Sequence, residues 1–116
     1  MPDKRREVRM MCADLVEASW TDEDGQVHRA DALLENISPS GACLEFEIAV
    51  PLGAQIRFTC EKHEFSGEVR YCKYAEIGYF VGVQLEPQSH WSRRKFKPRH
   101  LLDLQDLVED AAKGGR

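Results

Sequence analysis

Alternation of apolar and polar residues runs through most of the chain and predicts a series of short β-strands. In the first predicted strand, Val8 to Ser19, the residues Met11, Ala13 and Leu15 share one face, while Asp14 points elsewhere. A cluster of turn-forming residues at 22–25 then predicts a hairpin. The other predicted strands cover about 26–36, 42–48, 55–60, 64–73 and 79–86.

The third predicted strand has the cleanest pattern, with Ala42, Leu44, Phe46 and Ile48 facing inward. Six short strands separated by turns are typical of a small antiparallel barrel or sandwich. From Pro98 the apolar spacing becomes helical, which predicts a final helix over residues 98–113 that packs one apolar stripe on the sheet. We therefore expect a single domain with an N-terminal flexible arm (1–9), a barrel with a basic connector (8–97) and a C-terminal helix.

Composition and charge limit the function. The 116 residues are 42% apolar, which is enough for one core. A net charge of −4 argues against general nucleic-acid binding, but basic residues cluster within 4–9 and 93–99 and permit a local anion site. The chain has no run of about 18 apolar residues and no apolar segment behind its N-terminal charges, so we expect a cytoplasmic protein without membrane association.

The four cysteines, Cys12, Cys43, Cys60 and Cys72, lack paired spacing. We therefore expect small buried side chains rather than metal ligands. The scattered histidines and strand-borne carboxylates form no catalytic motif, so we expect no enzyme and no metal or cofactor.

Two short motifs carry the candidate chemistry. Arg5 and Arg9 form an R-x-x-x-R motif where the arm meets the first strand, which by itself is also typical of a solvated basic arm. Asn36, Ser38 and Gly41 form an N-x-S-x-x-G motif at a corner between two strands. An ordinary turn, in which Asn and Ser bond their own backbone and Gly takes a positive φ, would also produce the second motif.

Together, in this order, the motifs resemble those of the PilZ domain family, and residues 78–85 look like its closing strand. The resemblance implies a six-stranded antiparallel β-barrel with a C-terminal helix. It also implies a receptor for the bacterial second messenger cyclic di-GMP, with outputs such as motility or biofilm formation. By the same analogy, the ligand-binding residues are Arg5, Arg9, Asn36, Ser38 and Gly41.

These residue types suit the ligand, which has two phosphodiester groups and two guanines. An arginine fork matches phosphate oxygens and the O6/N7 edge of guanine, and its flat face stacks on bases. Secondary ligand candidates are Arg6 and Lys4 in the arm, Tyr71 as an aromatic beside a base, and Arg70. We expect Arg70 to alternate to the other strand face and to be solvated. In the family, the position of Lys4 is thought to influence whether one ligand or an intercalated pair binds.

Three functions stay open at this stage. The first is a cyclic di-GMP receptor whose arm closes over the ligand and which acts on a downstream protein partner. The second is a PilZ-like adaptor that works through protein contacts alone. The third is an oligonucleotide binder that uses the basic and aromatic stretch Trp91–Arg99, although Trp91 and Phe96 also fit a connector that seals the barrel end. Ligand stoichiometry and oligomeric state stay undetermined.

Overall fold

Six antiparallel strands close into a barrel in the computed structural model, which describes residues 8–101. The strands are β1 (Met10–Thr21), β2 (Val27–Ser38), β3 (Gly41–Phe46), β4 (Gln55–Cys60), β5 (His63–Tyr74) and β6 (Tyr79–Leu85). Around the barrel their order is β1-β2-β3-β6-β5-β4, and β4 pairs back on β1 to close it. The six-stranded antiparallel barrel expected from the sequence is confirmed.

Inward-facing residues of all six strands fill the barrel. Leu34, Leu44, Phe58 and Val81 have no exposed surface, and Phe46 is also fully buried. Burying a side chain of this size contributes about 1.5–3 kcal/mol. The core is therefore built from the alternation that defines the strands.

The apolar face of β1 expected from the sequence is the outer one. Leu15 is 74% exposed and Met11 49%, whereas Asp14 points inward and is 5% exposed. The even-numbered positions from Cys12 to Trp20 carry the longer apolar series, and that series sets the inner face. The interior tolerates Asp14 because it is hydrogen-bonded. Its carboxylate accepts the His100 backbone N–H at 3.2 Å to each oxygen and lies 3.0 Å from the His100 ring Nδ1.

The inward pattern of the third strand ends earlier than the sequence suggests. Phe46 pairs with Tyr79 at the last register position between β3 and β6, and the strand stops there. Ile48, expected inside, is therefore 49% exposed, while Val50 enters the core.

Cysteine placement agrees with the expectation of buried small side chains. Cys12, Cys43 and Cys60 are buried and Cys72 is partly buried, and all four are free thiols. Burial, followed by Asp14, raises the pKa of the Cys12 thiol to about 12 and that of Cys60 to about 11. Residues 8–101 contain no group of three or more side chains suited to hold a metal ion.

The connector after β6 covers one end of the barrel. It begins with a single 3₁₀ turn, Pro87–Ser89. Trp91 and Phe96 are buried, the Trp91 indole N–H donates to the Phe96 carbonyl at 2.8 Å, and the Phe96 ring stacks on His63. These two aromatics seal the barrel, so they are not available as a stacking surface for nucleic-acid bases.

Residues 98–101 form a turn in which the Leu101 N–H donates to the Pro98 carbonyl. The rest of the predicted C-terminal helix, and residues 1–7 of the predicted arm, lie outside the described residues. Within the described part of the chain, no helix is both long and apolar enough to cross a bilayer.

Replacing Trp91 by Phe should lower the free energy of unfolding by about 1–2 kcal/mol, since the buried Phe96 carbonyl loses its indole donor. Urea denaturation measures the change. Trp20→Phe is the matched control, because the Trp20 ring is also buried but stacks on His28. An unchanged unfolding midpoint for Trp91→Phe would show that the bond does not secure the seal.

Candidate ligand-binding site

Three register shifts near one end of the barrel shape its outer surface. They fall between Met11 and Asp14 in β1, at Glu35 in β2 and at Arg70 in β5. A β-bulge adds one residue to a strand and re-aims the neighbouring side chains. In β2 and β5 the bulge places two successive side chains on the outside of the barrel, instead of one inside and one outside.

Arg9 and Asn36, one residue from each predicted motif, are in direct contact. The Arg9 Nη1 donates to Asn36 Oδ1 at 3.0 Å, across 27 residues of sequence. Arg9 immediately precedes β1, and Met11 pairs with Asn36 in the register between β1 and β2. The strand register therefore brings the arginine motif to the asparagine motif.

Ser38, Pro39, Ser40 and Gly41 form a two-residue hairpin corner. Ser38 pairs with Gly41, and its buried hydroxyl donates to the Gly41 carbonyl at 3.3 Å. The Pro39 and Ser40 carbonyls accept the backbone N–H groups of Trp91 and Leu85, each at 2.8 Å. The corner is thus held by the connector and by the end of β6, in addition to its own strands.

Gly41 does not have the positive φ that the ordinary turn interpretation requires. Positive φ occurs instead at the glycines of other turns, such as Gly25 at 81°. A Cβ added to Gly41 would lie 3.4 Å from the Val83 carbonyl oxygen, an ordinary contact distance. Neither backbone conformation nor packing within the barrel explains glycine here.

The Tyr71 ring lies flat across Gly82. Tyr71 and Gly82 are register partners on β5 and β6, and a Cβ on Gly82 would overlap the ring. Burial, followed by Cys43, raises the pKa of the Tyr71 phenol, while Arg9 lowers it. Tyr71 is therefore a neutral aromatic wall held beside the arginine.

Arg70 does not alternate to the opposite face as expected. The β5 bulge lies between Val69 and Tyr71, so Arg70 and Tyr71 both stay on the outer surface. The Arg70 guanidinium lies 3.4 Å from a Glu68 carboxylate oxygen, and its side chain is 56% exposed. Arg70 faces the same cavity as Arg9 and Tyr71.

Two cavities adjoin on this surface and share Tyr71 as a wall. The first, of about 420 Å³, is called the corner cavity and is lined by Arg9, Ser38, Ser40, Gly41, Ala42, Arg70, Tyr71, Gly82, Val83 and Gln84. The second, of about 550 Å³, is called the side cavity and is lined by Met11, Glu35, Asn36, Cys43, Tyr71, Lys73 and Phe80. The Arg9–Asn36 hydrogen bond joins one cavity to the other.

The structure brings together around these cavities six of the residues that the sequence predicts to bind ligand: Arg9, Asn36, Ser38, Gly41, Tyr71 and Arg70. Arg5, Arg6 and Lys4 lie outside the described residues. Two residues of interest were missed, Gly82 beneath Tyr71 and Glu35 before the motif asparagine. The only signal for Gly82 is a glycine inside a strand, which often marks a close approach.

The arrangement has the chemistry of a binding site. Burial raises the pKa of the Cys43 thiol, so this cysteine stays protonated and is a poor nucleophile. The site offers guanidinium and hydroxyl donors, an amide and an aromatic face, which together suit a flat polar anion.

Replacing Gly82 by Ala should lower the free energy of unfolding by about 1–3 kcal/mol, because the Tyr71 ring must move to admit the new methyl. In a Tyr71→Ala background the same change should cost much less, and urea denaturation of the four proteins measures the coupling. Gly67→Ala is the control, because its Cβ would overlap the Gln84 backbone and not the Tyr71 ring. Its cost should therefore be the same with and without Tyr71. Additive effects of the Gly82 and Tyr71 changes would contradict this contact.

Known proteins with a PilZ domain are similar to this chain in sequence and in fold. The chain matches the family model described as PilZ domain over residues 3–97. A solved structure, the PilZ domain with c-di-GMP of YcgR from Escherichia coli, superposes with a TM-score of 0.56 at 14% sequence identity, covering 98% of this chain and 99% of that chain. No curated protein matches the sequence. Because the family model spans most of the chain, the protein belongs to the PilZ domain family.

Proposed function

We propose that this protein is a receptor for cyclic di-GMP that binds the ligand on the outer face of the barrel, beside the Ser38–Gly41 corner. The observation that carries the proposal is the convergence of Arg9, Asn36 and the corner around two adjoining cavities. The PilZ domain that matches in structure is described with the same ligand.

Arg9 supplies the main electrostatic contact. Its guanidinium matches either a phosphodiester group or the O6/N7 edge of guanine, and charge-assisted bonds of this kind are stronger than neutral ones. The Asn36 side-chain oxygen accepts a hydrogen bond from Arg9 and restricts the guanidinium before the ligand binds. The arginine therefore loses less conformational entropy on binding. A local cation thus recruits an anion to a protein whose net charge is −4.

The corner and Tyr71 complete the preformed part of the site. Gly41 has no side chain at the corner cavity, so a ligand can approach its backbone closely, and Ser38 fixes the shape of the corner. The neutral Tyr71 ring offers a face on which a guanine stacks, a contact typically worth about 1–3 kcal/mol per base. Arg70 and Gln84 add donors at the rim of the corner cavity.

Arg5 provides the second arginine of the clamp. In this mechanism residues 1–9 close over bound ligand, with Arg6 and Lys4 adding positive charge near its phosphates. Closure changes the surface that the barrel presents, and a downstream protein partner reads that change. The protein is a binding module rather than an enzyme. Its four free thiols suit the reducing cytoplasm, where we place it.

An adaptor that acts only through protein contacts is the second candidate. It is favoured by an exposed apolar surface around Leu15, Ile48 and Ile77, which are 74%, 49% and 86% exposed. A calorimetric titration with cyclic di-GMP separates the two functions, because a pure adaptor does not bind the nucleotide.

Calorimetric titration with cyclic di-GMP should give micromolar or tighter binding, and Arg9→Ala should weaken it by about 10- to 100-fold. The loss of one charge-assisted contact, about 1.5–3 kcal/mol, sets this range. Arg9→Lys should restore little, because an ammonium lacks the planar fork. Arg57→Ala, an exposed arginine that faces a different cavity, is the control of equal charge. Wild-type protein that gives no heat at about 100 μM ligand would refute the receptor function.

Gly41→Ala should separate binding from folding. The added methyl has room in the barrel, so the free energy of unfolding should stay within about 1 kcal/mol of the wild-type value. Ligand affinity should fall by tenfold or more, on the order of 1.4 kcal/mol, because the methyl projects toward the corner cavity where the ligand approaches. Equal affinity in the two proteins would show that this glycine serves only the turn.

A further inference from the structure

The side cavity contains an acidic residue that no part of the binding motif accounts for. Glu35 lines it together with Asn36, and both side chains are half-buried. An acidic group beside a site for a dianionic ligand costs affinity through repulsion, unless it accepts hydrogen bonds from that ligand. Its position therefore calls for a donor on the ligand.

The β2 bulge explains how Glu35 reaches this cavity. Leu34 pairs with Leu44 and Asn36 pairs with Cys43, so Glu35 is the extra residue between them. Without the bulge, Glu35 and Asn36 would point to opposite faces of the sheet. The extra residue brings a carboxylate and an amide side by side on one wall.

The remaining walls of the cavity suit a flat heteroaromatic ring. Tyr71 and Phe80 provide aromatic surface, and Met11 and Cys43 provide polarisable sulfur-containing side chains. Lys73 lies at the same cavity and is exposed. Apolar walls with a few convergent polar groups are the usual composition of a small-molecule site.

Glu45 on β3 is an acidic neighbour of Glu35. Burial, followed by this neighbour, raises the pKa of the Glu35 carboxyl.

We infer that Glu35 reads the Watson–Crick edge of a guanine base held in the side cavity, and that it makes the protein specific for guanine over other purines. Guanine presents two adjacent donors, N1–H and the 2-amino group, which a carboxylate accepts as a pair, whereas adenine presents only one donor beside an acceptor. Asn36 and the Tyr71 face orient the base. This inference rests on the proposed function and names the residue that determines ligand specificity.

The base comes either from one bound cyclic di-GMP that spans both cavities or from the second molecule of a stacked pair. The chemistry at Glu35 is the same in both cases. The stoichiometry of the calorimetric titration, one or two ligands per protein, distinguishes them.

The test compares three cyclic dinucleotides on wild-type and Glu35→Gln protein by calorimetry. The ligands are cyclic di-GMP, cyclic di-IMP, which lacks only the 2-amino groups, and cyclic di-AMP. Wild-type protein should prefer cyclic di-GMP over cyclic di-IMP by about tenfold or more, the usual discrimination of a paired hydrogen-bond contact. Glu35→Gln should lose most of that preference and bind cyclic di-GMP about tenfold more weakly.

Glu47→Gln is the control, because Glu47 is an exposed strand-end carboxylate that faces a different cavity. Removing a negative charge by itself strengthens the binding of an anion, so Glu47→Gln should bind cyclic di-GMP as well as the wild type or slightly better. If only Glu35→Gln has a lower affinity for cyclic di-GMP, the cause is therefore the loss of a direct contact and not a change in long-range electrostatics.

Contrary results would distinguish a failure of the Glu35 inference from a failure of the proposed receptor function. If Glu35→Gln binds cyclic di-GMP as tightly as the wild type, or if the wild type does not distinguish cyclic di-GMP from cyclic di-IMP, this inference is wrong and the receptor function stands. If wild-type protein binds none of the three ligands, the receptor function itself is wrong. The wild-type comparison needs no substitution, so it can overturn the inference even if Glu35→Gln fails to fold.

Discussion

Strict alternation of a pleated strand is the constraint on which the site depends, because it allows only every second residue to reach a given face. The barrel keeps alternation where it needs a core and breaks it beside the two adjoining cavities. Single extra residues in β2 and β5 turn Glu35 with Asn36, and Arg70 with Tyr71, toward the same outer surface. One insertion in a strand thus doubles the number of side chains offered to a ligand without opening the core.

Rigidity around the corner follows from how the barrel is closed at that end. The connector that seals the barrel with Trp91 and Phe96 also donates a backbone hydrogen bond to Pro39, and the end of β6 donates another to Ser40. The hairpin corner is therefore part of the packed end of the barrel and not a free loop. In the proposed complex, a corner preorganised in this way lowers the entropic cost of binding.

Electrostatics within the site are local. Arg9 donates a hydrogen bond to Asn36 on a protein whose net charge is −4, while Glu35 and Glu45 are acidic neighbours of each other. In the proposed complex, positive charge meets the phosphates and acceptor oxygens meet the base edge, so attraction and selectivity come from different residues. The buried and protonated Cys43 and the neutral Tyr71 form an uncharged floor between them.

The sequence by itself determined the number of strands, their approximate limits and the two motifs, because period-two alternation and turn residues are local properties. For Trp91 and Phe96 it offered a seal of the barrel end beside the alternative of a base-stacking surface. Only the tertiary structure decided which face of β1 is inner, since Asp14 is tolerated inside through a bond to His100, 86 residues away. It alone placed Glu35 at the cavities, kept Arg70 on the same face as Tyr71 and laid Tyr71 across Gly82, because bulges and cross-strand contacts depend on register between strands that are distant in the chain.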